Sequence, residues 1–333
     1  MKTTKTGCVK KLFFMDNNIY QALLNEVEKV FPKKSVMVNT LSDILRIEKS
    51  AVYRRLRQDV PFTFNEIVAI AKNLNISLDN LVDIENHISI MLQLQLLDYI
   101  SPQASDYNAL NLYIKFLKSL NKSGNSEMAT ITNVLPHDLF SGFDYLLKFY
   151  LFIWNYHSDY TKLKPFHQIS ITPEMNDLLN NYMIEMKNFN KTFYVFDNGV
   201  FRFFIDLVNY FNSIRLIEKE DVLKIKEDLH SMLDYLEKIA ITGQFTETGN
   251  SVNIYISDID ITTCYTYFET SSTYLSMIKA FILSYITSLD KRMFEKTKRW
   301  IHALIKISTL ITLTNEKQRV LYFEKQRKIV NEL

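Results

Sequence analysis

Apolar residues recur at helical spacing along most of the chain, in short runs up to about Val82 and in longer ones beyond. Asp16 is placed to cap a first helix, with Ile19, Leu23, Val27 and Val30 on one stripe and Pro32 ending it. A second helix is expected over 40–45, with Leu41, Ile44 and Leu45 facing inward. After a tight turn through Arg46 and Ile47, a third covers 48–58. Its Val52 and Leu56 lie four apart and point to the core, which leaves Lys49, Ser50, Tyr53, Arg54 and Arg57 outside. Thr63 and Glu66 have capping-box spacing, flanked by Phe62 and Ile67 as a hydrophobic staple, and so start a fourth helix carrying Ile67, Ile70, Ala71 and Leu74. Asn75 suits the left-handed residue after that helix, and Ser77 caps a fifth, with Ile76 and Leu81 at staple spacing.

Beyond residue 85 the pattern changes. Ile88, Ile90, Leu92, Leu94 and Leu96 alternate with mostly polar neighbours and read as a strand as readily as a helix. Amphipathic helices are expected at 106–120, 137–156, 174–190, 201–213, 218–241, 272–288, 290–312 and 315–331, the third of them marked by Thr172 as cap and Pro173 at the first position. Strand-like runs cover 128–135, 192–196, 252–257 and 263–269; the last two flank Asp258-Ile-Asp260 and are placed to form a hairpin. The expected organisation is an arm over 1–15, a small helical domain over 16–84 and a larger, mostly helical α+β domain over 85–333, mainly α in all.

Composition narrows the class. With 47% hydrophobic and 23% charged residues the chain can bury a core, and only 6 Gly and 6 Pro among 333 residues favour long helices over glycine-rich loops. Cys8 and Cys264 form no CxxC pair, which fits a reducing compartment and offers no zinc site. The apolar runs 12–15, 146–154 and 303–313 are too short for a signal peptide or a membrane span, so a cytoplasmic protein is expected. Net charge is +2, unevenly spread: residues 1–84 carry 13 basic and 9 acidic side chains, the rest 26 and 28. Within 46–57, Arg46, Lys49, Arg54, Arg55 and Arg57 face one acid, Glu48. Such a run is either a solvated helix surface or a footprint for phosphate.

The run from Pro61 to Leu81, PFTFNEIVAIAKNLNISLDNL, resembles helices four and five of the lambda-repressor-like (Cro/XRE-type) DNA-binding domain. Upstream, LSDILRIEKSAVYRRL over 41–56 sits where that family has its helix-turn-helix. The resemblance covers 16–84 and implies a five-helix domain whose third helix lies in the major groove, with Lys49, Ser50, Tyr53, Arg54 and Arg57 at positions for base and phosphate contact. Two residues depart from the pattern. Arg46 stands at the turn position where the family has Gly, and Arg55 stands where an apolar residue is usual.

No GxGxxG, GxxxxGK[ST], HExxH or GxSxG motif occurs, and the six histidines lack metal-ligand spacing. No catalytic residue, cofactor or metal is therefore expected. Asp258 and Asp260 read as a polar connection, and Cys264 as a small buried hydrophobe. The aromatics between Phe140 and Tyr156 go round their helix, which suits a buried central element. Residues 290–333 hold 11 basic and 5 acidic side chains with Trp300, Leu304 and Ile311 on an apolar stripe: a solvated surface first, a dimerisation helix second, or an accessory contact to the DNA backbone. The function expected is a repressor-like transcription regulator that binds double-stranded DNA as a homodimer, with an effector ligand or partner protein acting through 85–333, and no membrane partner. The alternatives are a constitutive oligomeric repressor or scaffold without a ligand, and an enzyme tethered to a DNA-binding module.

Overall fold

The computed structural model describes residues 9–31, 33–74, 76, 78, 92–122, 124–158 and 164–333. Its contacts divide the chain into two units, Met1–Ser89 and Ile90–Leu333.

The regular elements described in the first unit are all helices: α1 (Val9–Val30), α2 (Lys34–Leu45), α3 (Lys49–Leu56) and α4 (Phe64–Leu74). Its core gathers Leu23, Leu24 and Val27 from α1, Met37, Val38 and Leu41 from α2, Val52 from α3, and Phe62 and Ile70 around α4. Two sequence expectations shift. The first helix begins before Asp16, so that residue lies inside α1 and does not cap it, and Val30 is exposed rather than part of the stripe. The second helix starts six residues earlier than expected, because Met37 and Val38 extend the buried stripe by a turn. Of Ile19 only the backbone is described; Asn75, Ser77 and Leu81, and with them most of the expected fifth helix, lie outside the described residues.

The second unit is built on one eight-stranded sheet. Its strands are β1 (Gln93–Gln95), β2 (Glu127–Thr132), β3 (Lys191–Asp197), β4 (Ser251–Ser257), β5 (Tyr265–Glu269), β6 (Tyr274–Lys279), β7 (Tyr285–Ser288) and β8 (Thr309–Leu310), in the spatial order β1-β7-β6-β5-β2-β3-β4-β8. β2, β3 and β4 are parallel, and all other pairings are antiparallel. The helices are α5 (Ala104–Asn121), α6 (Asp144–Ser158), α7 (Pro173–Lys187), α8 (Val200–Ser213), α9 (Lys219–Thr242), α10 (Lys291–Ile307) and α11 (Glu316–Val330). Alternation along the strands sorts them. Met128, Tyr194, Phe196, Val252, Ile254, Phe268 and Met277 point into a large core shared with all of these helices but α10. Ala129, Ile131, Val195 and Tyr267 point the other way, onto Phe294 and Ile301 of α10.

The helices expected over 106–120, 174–190, 201–213, 218–241 and 315–331 are present with ends shifted by a few residues, and the four strand-like runs are β2 to β5. Four expectations are corrected. Residues 272–288 contain β6 and β7, not a helix: their apolar residues fit both periods, and the pairing of β6 with β5 and of β7 with β6 decides. β4 and β5 do not form a hairpin. β4 is buried between β3 and β8, so the connection crosses to the far side of β2, tied on the way by the Ile261 amide donating to Asp197 Oδ2 at 2.7 Å. The helix expected from 137 begins at Asp144, since Gly142 takes φ +87° and only His137–Leu139 form a 3₁₀ turn before it. Finally, α10 ends at Ile307, which leaves Ile311 off its stripe and buried in the larger core. Of 88–96 only Leu92 to Leu96 are described, with a strand over Gln93–Gln95.

Gly243 ends α9 with φ +70°, and a β-carbon there would meet Leu313 Cδ1 at 2.9 Å. Gly243→Ala is therefore expected to destabilise the second unit by about 1–3 kcal/mol, read as a lower denaturant midpoint at unchanged m-value.

Candidate nucleic-acid interface

Ser42 organises the turn between α2 and α3. Its carbonyl accepts from the Ile47 amide at 3.3 Å and its hydroxyl donates to the Ile47 carbonyl at 2.6 Å. The reversal needs a left-handed residue, and Arg46 supplies it at φ 53°, ψ 43°. The backbone thus keeps the geometry that a glycine would adopt freely, and the arginine bears the strain. Arg46→Gly is expected to leave stability unchanged or raise it by up to about 1 kcal/mol, because relief of strain is partly offset by a freer unfolded chain. A lowered melting temperature would show that the arginine side chain contributes more than its backbone costs.

α3 is two-faced. Val52 is fully buried and Leu56 half-buried, while Lys49, Ser50, Tyr53, Arg54 and Arg57 are all exposed, the five side chains that the sequence placed outside. The helix runs Lys49–Leu56, shorter than the expected 48–58, so Glu48 precedes it in extended conformation and Arg57 is its C-cap. Lys49 and Arg54 have no ion-pair partner among the described residues. Arg57 pairs with Asp59 at 3.2 Å with both groups largely in water, an interaction worth little that another anion can replace. Ser50 Oγ lies 3.4 Å from Glu48 Oε2.

Arg55, the second departure from the family pattern, turns away from that face. Its Nε and Nη2 donate to Glu66 Oε2 and Oε1 at 3.0 and 2.8 Å, a bidentate pair with both side chains more than four-fifths buried. Glu66 also accepts from the Thr63 amide at 2.8 Å, while Thr63 Oγ1 accepts from the Glu66 amide at 3.3 Å, which completes the expected capping box. Burial opposes ionisation of Glu66, but the bonds from Arg55 and Thr63 and the charge of Arg55 together hold its carboxyl below the ordinary value. Tyr20 closes the same corner: its hydroxyl donates to the Arg55 carbonyl at 3.2 Å and accepts from the Phe62 amide at 3.1 Å. Neither role was assigned from sequence. Glu66 at the third helical position was the available signal, since a capping carboxylate keeps one oxygen to spare.

Residues 25–106 match the BetR domain. BetR is a helix-turn-helix family of DNA-binding domains. The match supports a helix-turn-helix among the amino-terminal helices and suggests a DNA-binding regulatory role. The BetR match spans α2, α3 and α4, and so the whole basic face of α3. No curated protein and no solved structure matches the chain significantly.

Elsewhere, Asp258 and Asp260 are exposed, and no cluster of three His, Cys, Asp or Glu side chains fit for a metal occurs among the described residues. Cys264 is buried, but its thiol is more than a hydrophobe: it lies 3.2 Å from Thr132 Oγ1 and donates to Asn133 Oδ1 at 3.3 Å. No helix among the described residues is long and apolar enough to cross a membrane.

Proposed function

We propose that the chain is a transcription regulator of the lambda-repressor-like type, which reads an operator with α3 in the major groove. The exposed face of α3 carries this reading: five polar or basic side chains held outward by one fully buried valine. Lys49 and Arg57 contact phosphates and supply salt-dependent affinity, while Arg54, with Tyr53 and Ser50 beside it, reads base edges. Arg54 is suited to guanine, whose O6 and N7 match the guanidinium fork. An eight-residue helix covers too few base pairs to be selective alone, so the regulator acts as a homodimer on two half-sites. Residues 90–333 supply dimerisation and respond to an effector, with no catalytic step and no metal or cofactor. Selection of genomic fragments by the full-length protein tests this. The expected product is an inverted repeat with half-sites about 10 base pairs apart, or a multiple of that. Recovery of DNA without any shared motif would contradict it.

A further inference from the structure

At the carboxyl end of β2 the second unit keeps an internal cleft with two lobes. Ligands of sheets with parallel strands bind outside the carboxyl ends of those strands, and this cleft occupies that place. The larger lobe is aromatic and apolar, walled by Tyr99, Leu110, Tyr113 and Leu283. The smaller holds the cleft's charged and most of its hydroxyl groups, with Thr130, Thr132, Asp138, Thr266 and Lys279 sharing its wall with Met186 and Phe268. Tyr182, Met277 and Tyr285 border both, so the lobes adjoin across these three side chains.

The smaller lobe has one unanswered group. Asp138 is satisfied by the Tyr194 hydroxyl, Thr130 and Thr266 bond each other at 2.7 Å, and Cys264 bonds Asn133. His137 stacks on Tyr182 and meets the tilted ring of Tyr285, whose hydroxyl lies 3.3 Å from its Nδ1. Burial brings its pKa down to about 3, so the ring is neutral at physiological pH. The ammonium of Lys279, the last residue of β6, has no hydrogen bond or salt bridge among the described residues and lies 5.2 Å from the centroid of the Tyr150 ring. Burial lowers its pKa, against the opposing pull of Cys264 and Asp138. Burial also pushes the Asp138 carboxyl up, which weakens the nearest candidate counter-charge. Lys279 is half-buried; a cation drawn partly out of water without a paired anion is disfavoured, and a bound anion offsets that.

We infer that this cleft binds a small organic acid, its carboxylate on Lys279 and its apolar or aromatic body in the lobe of Tyr99, Tyr113 and Tyr182. The space is about 40 Å³ in the larger lobe and about 20 Å³ in the smaller, less than the roughly 150 Å³ of a cavity that takes benzene, so the ligand is at most one ring or a short chain and enters by displacing wall side chains. The binding claim stands by itself; that the acid alters DNA affinity rests on the regulator reading above.

The test uses the full-length protein with benzoate and phenylacetate as probes, and benzamide and phenylacetamide as neutral counterparts. Saturating acid is expected to raise the melting temperature by roughly 3 °C or more, and the amides far less. Lys279→Met should abolish the difference between acid and amide, and Lys279→Arg should retain it. In the wild-type chain, where folding is not in question, the acids should slow alkylation of Cys264, read by peptide mass. No response to either acid by both readouts, equal responses to acid and amide, or an undiminished acid response in folded Lys279→Met would each overturn the site. A separate arm measures affinity for the selected DNA with and without acid. Acid binding that leaves DNA affinity unchanged supports the cleft and counts only against its coupling to regulation.

Discussion

Replacing Arg54 by alanine is expected to weaken binding to the selected operator by about 1–3 kcal/mol, roughly 5- to 150-fold in Kd, while the melting temperature stays within about 1 °C. The separation of the two readouts follows from the geometry. Arg54 is exposed and has no ion-pair partner among the described residues, so its loss leaves no buried group unsatisfied. The loss should fall on specific more than on non-specific DNA, because a base-reading arginine contributes to the difference between them. Lys49→Ala gives the contrast: a similar loss on all sequences and a salt slope smaller by about one. An Arg54→Ala protein that binds its operator as tightly as wild type would remove Arg54 from the interface.

The adjacent arginine should behave in the opposite way. Arg55→Ala leaves the Glu66 carboxylate largely buried without its bidentate partner and loosens α3 from α4, at a cost of about 2–3 kcal/mol. In a unit of this size that lowers the unfolding midpoint by roughly 10 °C or more, and DNA binding falls only as folding does. The pair also has a pH signature. A carboxyl held below its unfolded value of 4.5 stabilises the fold fully above that value, and the contribution is lost as pH falls through the lower folded value. The wild-type amino-terminal unit should therefore lose stability on acidification below about pH 4.5, and Arg55→Ala should show a shallower loss. Thermal melts of both proteins from pH 7 to pH 3 measure it. Parallel acid profiles would show that the pair is not a source of acid sensitivity.

These neighbouring residues also mark what was legible in the sequence. Val52 with Leu56 fixed which way α3 faces, and helical periodicity then placed Lys49, Ser50, Tyr53, Arg54 and Arg57 outside with no knowledge of the rest. The partner of Arg55 was hidden because Glu66 already had an explanation in the capping box, and a second use of one carboxylate leaves no mark on local spacing. The turn at Arg46 was legible as a conflict. Its position asked for a left-handed residue, its side chain disfavoured one, and the backbone demand prevails.

In the second unit, elements whose cause is local were readable: Thr172 and Pro173 start α7, where the Thr172 hydroxyl accepts from the Met175 amide at 3.1 Å. What depends on distant pairing was not. Tyr274–Lys279 and Tyr285–Ser288 are strands because the first pairs with β5 and the second with the first, and β4 is separated from β5 because both its edges are already occupied. The internal cleft was equally invisible, since His137 comes from a segment far in the chain from Cys264 and Lys279. Each looks ordinary until the sheet brings them to one end.

The most direct measurement places a photo-crosslinking phenylalanine derivative at position 53, on the outward face of α3, and as a control at exposed position 223 of the second unit. Irradiated with the selected duplex under conditions where the complex forms, the protein labelled at 53 is expected to crosslink to bases within the inverted repeat, and the control to remain free. A complex that forms fully yet gives no crosslink from position 53 would contradict the placement of α3 against DNA.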